Sequence, residues 1–294
     1  MHLKISLGIM AYNEEANIGG LLDSILRQQF SSGVLKEIIV VASGCTDRTV
    51  EVVCSFLEVD NRVRLIVQKE RKGKASAINL FLAEACGDIL ILESGDTIPS
   101  PGTLERLIAP FIKPVVGMTG GRPVPINPKD TFIGFTVNLM WSLHHKISLK
   151  TPKLGELVAF RRFVRSIPEN TAVDEACIEA IIRNANYSLC YVPEAVVFNK
   201  GPENIKDFIK QRRRIAAGHI HLQKSHHYKV STLSSFNILR LMLRRNSWQL
   251  KETVWMTGAV FLEIAGRILG LYDFYICKKD HCVWDSACST KCLR

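Results

Sequence analysis

Residues 37–57, EIIVVASGCTDRTVEVVCSFL, decide how this chain folds. Ile38 to Ala42 are apolar without interruption, which suits a strand with both faces buried. A Gly-Cys-Thr-Asp turn follows, and then Val52, Val53, Phe56 and Leu57 recur at helical spacing. A doubly buried strand running into an amphipathic helix is half of a parallel βαβ unit.

The alternation extends to either side. Leu3, Ile5, Leu7 and Ile9 alternate as a strand, and Asn13 can cap a helix whose apolar face is Ile18, Leu21, Leu22, Ile25 and Leu26. VRLIV (63–67) reads as a third strand, followed by ERKGK and a helix from Ala75 to Ala85, and DILILE (88–93) as a fourth. The expected fold class is α/β, a mixed, mostly parallel sheet flanked by helices. After residue 100 the pattern loosens. VVGMTGGRPVP and LGELVAFRR precede a helix from about 174 to 184, and YSLCYVPEAVVFNK reads as two short strands broken at Pro193–Glu194. From Pro202 onward the chain is helical and basic, with KQRRR (210–214) and RLMLRR (240–245) beside apolar runs.

With 294 residues, 47% hydrophobic and 22% charged, the chain can bury a full core, and its net charge of +10 favours an anionic partner. The basic clusters lack aromatic interleaving or a recognisable module, so nucleic acid is not expected. Nine cysteines, an odd number scattered among core-like segments, suit reduced thiols in the cytosol. Met1 leads at once into a strand, so no secretory leader is expected. Glu263, Arg267 and Asp273 interrupt the apolar run from Thr253 to Ile276, which argues against a membrane span but not against a helix lying on the inner face of a membrane.

Ligands of such sheets bind outside the carboxyl ends of the strands. The segments there are AYNEE, ASGCTD, KERKGKASAIN and ESGDT, which together suit one nucleotide-sized site. Asp96, closing ILILESGDT, reads either as a ligand for a divalent cation bound to a diphosphate or as the cap of a strand. Asp174 and Glu175 open a helix in AVDEACIEA, where carboxylates serve either as a general base or to complement the helix dipole.

Six segments, IMAYNEEANIGGLLDSIL, IIVVASGCTDRTVEVV, KGKASAIN, ILILESGDT, AVDEACIEA and QRRRI, together resemble the family 2 nucleotide-sugar glycosyltransferases with the GT-A (Rossmann-like) fold. The resemblance covers residues 3–220. It implies an inverting, metal-assisted transfer of a sugar from a nucleotide-diphosphate sugar to an acceptor hydroxyl, with Mg2+ or Mn2+ as cofactor. It also implies a GT-A catalytic domain over 1–202, followed by a basic helical extension and tail over 203–294. Asp96 matches the last residue of the family's DxD motif and so the metal ligand. Glu175 matches the usual base, with Asp174 beside it as the other candidate. The donor-binding set implied is Ala11, Tyr12, Glu14, Glu15, Ser43, Lys74, Ser94, Gly95, Asp96, Gln211 and Arg214, with Lys72 and Arg213 as further phosphate-side cations.

Three departures matter. Ser94 stands where the first DxD aspartate would be, and Ala42 and Ser43 replace the acidic pair that reads the base, leaving Asp47. Ile215 replaces the tryptophan of QxxRW, which argues for single additions over processive synthesis. The lost carboxylates keep open a non-catalytic nucleotide-sugar-binding protein. A sugar nucleotidyltransferase is disfavoured, because the loop after strand one is acidic. Trp141, His144, His145 and Glu156 are candidates for an acceptor-side wall, the acceptor being a glycan or a lipid-linked phosphosugar. The basic, amphipathic stretch around 239–255 suits a membrane interface, or else packing against the sheet domain. The cysteine-rich tail reads as a zinc site or as a short ordered tail whose lysine reaches toward the donor phosphates.

Overall fold

The chain is described by a computed structural model covering residues 3–226, 250–279, 283 and 288–291. Strands β1 (Leu3–Ala11), β2 (Gly33–Ser43), β3 (Val63–Gln68) and β4 (Ile89–Ser94) alternate with helices α1 (Ile18–Leu26), α2 (Thr49–Leu57) and α3 (Lys74–Glu84). The short β5 (Thr97–Pro99), α4 (Thr103–Ile108), β6 (Val116–Pro125), α5 (Phe132–Ser148), β7 (Val158–Arg161), α6 (Asp174–Asn184), β8 (Ser188–Asn199), α7 (Ile205–His226) and α8 (Leu250–Tyr272) follow.

All eight strands form one sheet in the order β3-β2-β1-β4-β7-β6-β8-β5. β3, β2, β1 and β4 run parallel, whereas β7 is antiparallel to both β4 and β6, so the sheet is mixed. The segment expected as two strands around Pro193 is the single strand β8. Its register against β6 shifts between Gly120 and Arg122, and that irregularity accommodates the proline, which cannot donate to a ladder.

Two apolar layers explain the uninterrupted strands. Ile5, Leu7, Ile9, Ile38 and Val40 pack on one face beneath α1 and α4, while Ile39, Val41, Leu90 and Leu92 pack on the other beneath α3 and α6. Gly8 belongs to the second face. A Cβ there would lie 2.6 Å from the Phe81 ring, so the ring rests directly on the β1 backbone.

Beyond the sheet, α7 and α8 approach closely through small residues. A Cβ on Gly266 would meet Arg212 Cβ at 2.6 Å, and one on Gly270 would meet Ala216 Cβ at 2.6 Å. Arg212 and Arg267 both grip Glu263, and Arg213 pairs with the fully buried Asp273 in the π turn after α8. The RLMLRR segment and Trp248 lie outside the described residues.

The Gly8–Phe81 contact is testable in urea. Gly8→Ala should destabilise the fold by about 1–3 kcal/mol through overpacking. The loss should shrink in a Phe81→Leu background, because the two residues are in contact and their effects couple. Additive losses would mean that the ring does not rest on Gly8.

Candidate functional site

The carboxyl ends of β1, β2, β3 and β4 open on one side of the sheet, and the loops there are tied to one another. Asn13 takes a left-handed conformation (φ 53°) and does not cap α1. Its amide instead donates to Thr46 Oγ1 (3.1 Å), and its carbonyl accepts from the Thr46 backbone (2.8 Å), locking the loop after β1 to the loop after β2. Asn17 occupies the cap position of α1. The adjacent glutamates separate: Glu15 is exposed and accepts from the Arg48 backbone at 3.0 Å, while Glu14 is buried and turned inward. Gly95 allows this inward turn, since a Cβ there would lie 2.9 Å from Glu14 Cγ.

Ser43 donates to Gln68 Oε1 (2.6 Å), and Gln68 donates to Ser76 Oγ (3.0 Å), so Ser43 belongs to a neutral hydrogen-bonded chain. Ala11 is buried, and its carbonyl accepts from the Cys45 thiol at 3.6 Å. Tyr12 is half-buried with the Arg71 guanidinium 3.7 Å from its ring centroid.

Lys74 joins the strand ends to the acidic turn. Gly73, at φ 92°, lets the chain turn into α3, and Lys74 Nζ then lies 2.7 Å from Glu175 Oε1 and 3.2 Å from Ser94 Oγ. Glu175 is half-buried in α6's first turn, with Asp174 buried beside it and the Asp174 Oδ1 unpartnered. Arg214, on α7, lies within electrostatic reach of Asp174, Glu175, Glu156 and Asp96. Gln211 is half-buried one turn earlier on the same helix. Arg213 turns away to Asp273, and Lys72 is solvent-exposed, so neither joins this group.

Glu156, expected in an acceptor-side wall, lies among the charged groups of this site. It is a non-glycine residue at φ 62°, and its carboxyl interacts with Asp96, Lys74, Glu175 and Arg214. A side chain held in the left-handed region is an uncommon conformation that clusters at functional sites. Sequence carries no signal for it, since LGELVAF reads as the approach to a strand. His145 Nδ1 meets the Tyr191 hydroxyl at 2.9 Å, and Trp141 packs edge-on to the buried His144 at 5.2 Å between centroids. Asn79 clamps the Ile167 backbone in both directions (2.9 and 2.8 Å), fixing the segment that leads into α6.

Negative charge is crowded here. Burial and the nearby Asp96 push Glu14 up to about 7, against the pull of Lys291. Burial and Asp96 likewise push Glu156 up to about 7, and burial pushes Asp174 up to about 7 despite Lys74. Burial also favours the neutral form of Glu175, but the Lys74 ammonium outweighs it and holds this carboxylate below its usual range. Lys74 itself is raised: burial disfavours its charge, and Glu175 and Asp174 more than offset that.

Among the described residues, no three His, Cys, Asp or Glu side chains converge as a ready-made metal site. The tail donors His281, Cys282 and Cys292 lie outside those residues.

Glu93, one residue before Ser94, is 1% exposed; Oε1 accepts from Thr97 at 2.8 Å, and Oε2 has no partner. Burial pushes it up to about 8, with Glu156 adding to the rise. The folded chain therefore holds a proton that the unfolded chain releases above about pH 4.5. Its contribution to stability is full below that pH and declines as pH rises toward 8. Glu93→Gln should flatten this part of the stability–pH curve and be the more stable form at pH 9, by on the order of a few kcal/mol. Parallel curves for the two proteins in urea titrations at pH 5, 7 and 9 would contradict it.

The sequence model of glycosyl transferase family 2 matches residues 6–171. The chain is 25% identical over 236 residues to the Probable glycosyltransferase YdaM of Bacillus subtilis, covering 73% of this chain and 55% of that protein. It is 23% identical over 227 residues to the poly-beta-1,6-N-acetyl-D-glucosamine synthase of Staphylococcus epidermidis, covering 73% and 54%. The chain thus spans about half the length of these curated relatives. In fold it is similar to the mannosyltransferase PcManGT of Pyrobaculum calidifontis, solved with GDP-Man and Mn2+, with a TM-score of 0.67, 22% identity and coverage of 93% of this chain and 88% of that one. It is also similar to glucosyl-3-phosphoglycerate synthase of Mycobacterium tuberculosis, solved with Mn2+, UDP and phosphoglyceric acid, with a TM-score of 0.52, 23% identity and coverage of 73% and 76%. With the expected mixed, mostly parallel sheet in place, the chain belongs to glycosyl transferase family 2 and has the GT-A fold.

Proposed function

We propose that this glycosyltransferase moves a sugar from a nucleoside-diphosphate donor to an acceptor hydroxyl by a single inverting displacement, adding one sugar per encounter. The observation that carries the reading is Lys74, which joins Ser94 at the end of β4 to Glu175 at the start of α6 and so brings a donor-side strand end against a candidate base. In this reading Ala11, Tyr12, Glu14 and Ser43 line the nucleoside side, with Glu15 on its rim. Lys74, Ser94, Gly95, Asp96, Gln211 and Arg214 form the diphosphate side. Residues 1–202 are the catalytic unit, and the extension from 203 contributes Arg214 to it.

A divalent cation suits this cleft. Burial, with the charge of Asp96 adding to it, drives Glu14 and Glu156 toward their protonated forms, so positive charge placed beside Asp96 offsets part of that repulsion. Asp96 would be the protein's ligand, with diphosphate oxygens and water completing the shell. Bound Mg2+ or Mn2+ would stabilise the charge that develops on the leaving diphosphate.

Glu175 is the proposed base, with Asp174 behind it. Without donor, Lys74 keeps Glu175 ionised and weakly basic. A diphosphate beside Ser94 competes for the same ammonium. As Lys74 turns toward it, the largest force opposing the burial of Glu175 weakens and its affinity for the acceptor's proton rises. Arg214, among the same carboxylates, limits the repulsion between Asp174 and Glu175. The absence of a tryptophan at Ile215 supports single additions.

A peripheral membrane location is supported by α8. Glu263 and Arg267 pair inward against α7, leaving an outer face of Leu250, Val254, Phe261, Ile264, Ile268 and Leu271, each at least 45% exposed. The segment Leu250–Cys277 is also long and apolar enough, by length and composition, to cross a membrane. We assign it to the surface of an acidic membrane, where a lipid-linked acceptor would be presented to the cleft; a glycan acceptor remains the other class.

Three measurements test these assignments. Asp96→Asn should cut metal-dependent transfer by about a hundredfold or more, and Glu175→Gln should cut transfer by about 10²–10⁴-fold while leaving the affinity for donor within a few-fold. A larger loss in Asp174→Asn than in Glu175→Gln would move the base to Asp174. Thermal shifts with UDP-, GDP- and CMP-sugars plus Mn2+ decide the donor class, and binding without transfer in any assay would favour a non-catalytic protein. In vesicle flotation, Phe261→Glu with Ile268→Glu should reduce binding to anionic liposomes about tenfold or more. Unchanged flotation would overturn the membrane assignment.

A further inference from the structure

The C-terminal strap reaches into the nucleoside side of the cleft. Ser289 Oγ donates to Asp207 Oδ2 (2.6 Å) and accepts from the Glu203 backbone (3.3 Å), anchoring the strap at the start of α7. Two residues on, the Lys291 carbonyl accepts from Asn17 Nδ2 (2.7 Å), which fixes the strap to the start of α1. Between these anchors the Lys291 side chain turns inward. Its Nζ donates to the Tyr12 carbonyl (2.5 Å), forms an ion pair with Glu14, and lies 5.6 Å from the Tyr12 ring centroid.

A surface lysine is ordinarily solvated and keeps its rotamer freedom. Lys291 is only 23% exposed, and its partner Glu14 is 6% exposed. We propose that Lys291 is a donor-binding residue: held beside the loop after β1, its side chain turns so that the ammonium contacts the donor diphosphate. The inference rests on the donor-site reading given above.

Charge and position favour it. The cleft carries the carboxylates of Glu14, Asp96, Glu156, Asp174 and Glu175, and Lys74 and Arg214 are committed to the α6 end of that group. Lys291 approaches from the opposite end, through Glu14. Glu14 links the ammonium to the strand end where the diphosphate is proposed to lie: it pairs with Lys291, and its Cγ would lie 2.9 Å from a Cβ on Gly95. Diphosphate oxygens are stronger partners for an ammonium than one carboxylate. Asn17 and Ser289 hold the strap's backbone, so only the side chain has to turn.

The test is calorimetric, on the full chain with Mn2+, using UDP and GDP as probes and uridine and guanosine as phosphate-free controls. Lys291→Gln should weaken binding of the preferred diphosphate about tenfold or more, Lys291→Arg should stay within about threefold of the unmodified protein, and nucleoside binding should not change. Ending the chain at Ala287 should reproduce the Lys291→Gln result. Tighter diphosphate binding in Lys291→Gln would overturn the proposal and make Lys291 a plug that donor must displace. Equal weakening of nucleoside and diphosphate would overturn it too, reducing the strap to a prop for the loop after β1. If the unmodified protein bound neither diphosphate nor nucleoside, the donor-site reading itself would fall, and this inference with it.

Discussion

A lysine ammonium taken out of water is costly unless its charge is matched, and Lys74 is matched from two directions. It donates to Ser94 at the end of the central parallel strand and pairs with Glu175 on the helix that follows the antiparallel part of the sheet. The dependence runs both ways. Asp174 and Glu175 are adjacent carboxylates in one buried turn, and without an ammonium beside them their repulsion would drive one to its neutral form. The two halves of the sheet are therefore joined at the cleft by charge as well as by the β4–β7 ladder. Gly73 makes this geometry accessible, because its positive φ sets α3 at the angle that sends Lys74 across the strand ends.

The parallel half of the fold was legible because burial on both faces leaves a plain signature: apolar strands with no polar alternation, each running into an amphipathic helix. The antiparallel half was less so. Proline in YSLCYVPEAVVFNK signals a break to any local reading, yet β8 runs through it, because a register irregularity against β6 absorbs the missing donor. Local reasoning likewise made Asn13 a helix cap. Its partner Thr46 is 33 residues away, and no helix-start rule contains that contact. Which of Glu14 and Glu15 turns inward depends on Gly95 leaving room for one of them, a tertiary fact absent from the AYNEE segment itself. Glu156 was undervalued for a related reason: its importance comes from a left-handed backbone that places a carboxyl among four charged neighbours, and composition does not encode φ.

The last helix shows how counting charges along a chain misleads. Glu263, Arg267 and Asp273 lower the apolarity of the segment when read in line, and on that basis it looks unsuited to lipid. In three dimensions all three are spent on α7 and on one another, so the outer face keeps none of their charge. Small residues at Gly266 and Gly270 permit the close approach that makes this pairing possible. An amphipathic helix whose polar side is satisfied by protein presents lipid with a more apolar surface than its sequence average suggests.

The same reasoning bears on the serine at position 94. An aspartate at position 94 would lie beside Lys74 and compete with Glu175 for it, adding one more negative group to a cleft where Glu14, Glu156 and Asp174 are already driven toward protonation. With serine there, Lys74 is free to hold Glu175 in its ionised form, and the hydroxyl still gives the ammonium a second acceptor. Burial and the charge of Asp96 already drive Glu14 and Glu156 toward their neutral forms, so a second aspartate at the end of β4 would add to that repulsion. Serine spares the site one more carboxylate and still gives Lys74 a hydroxyl partner.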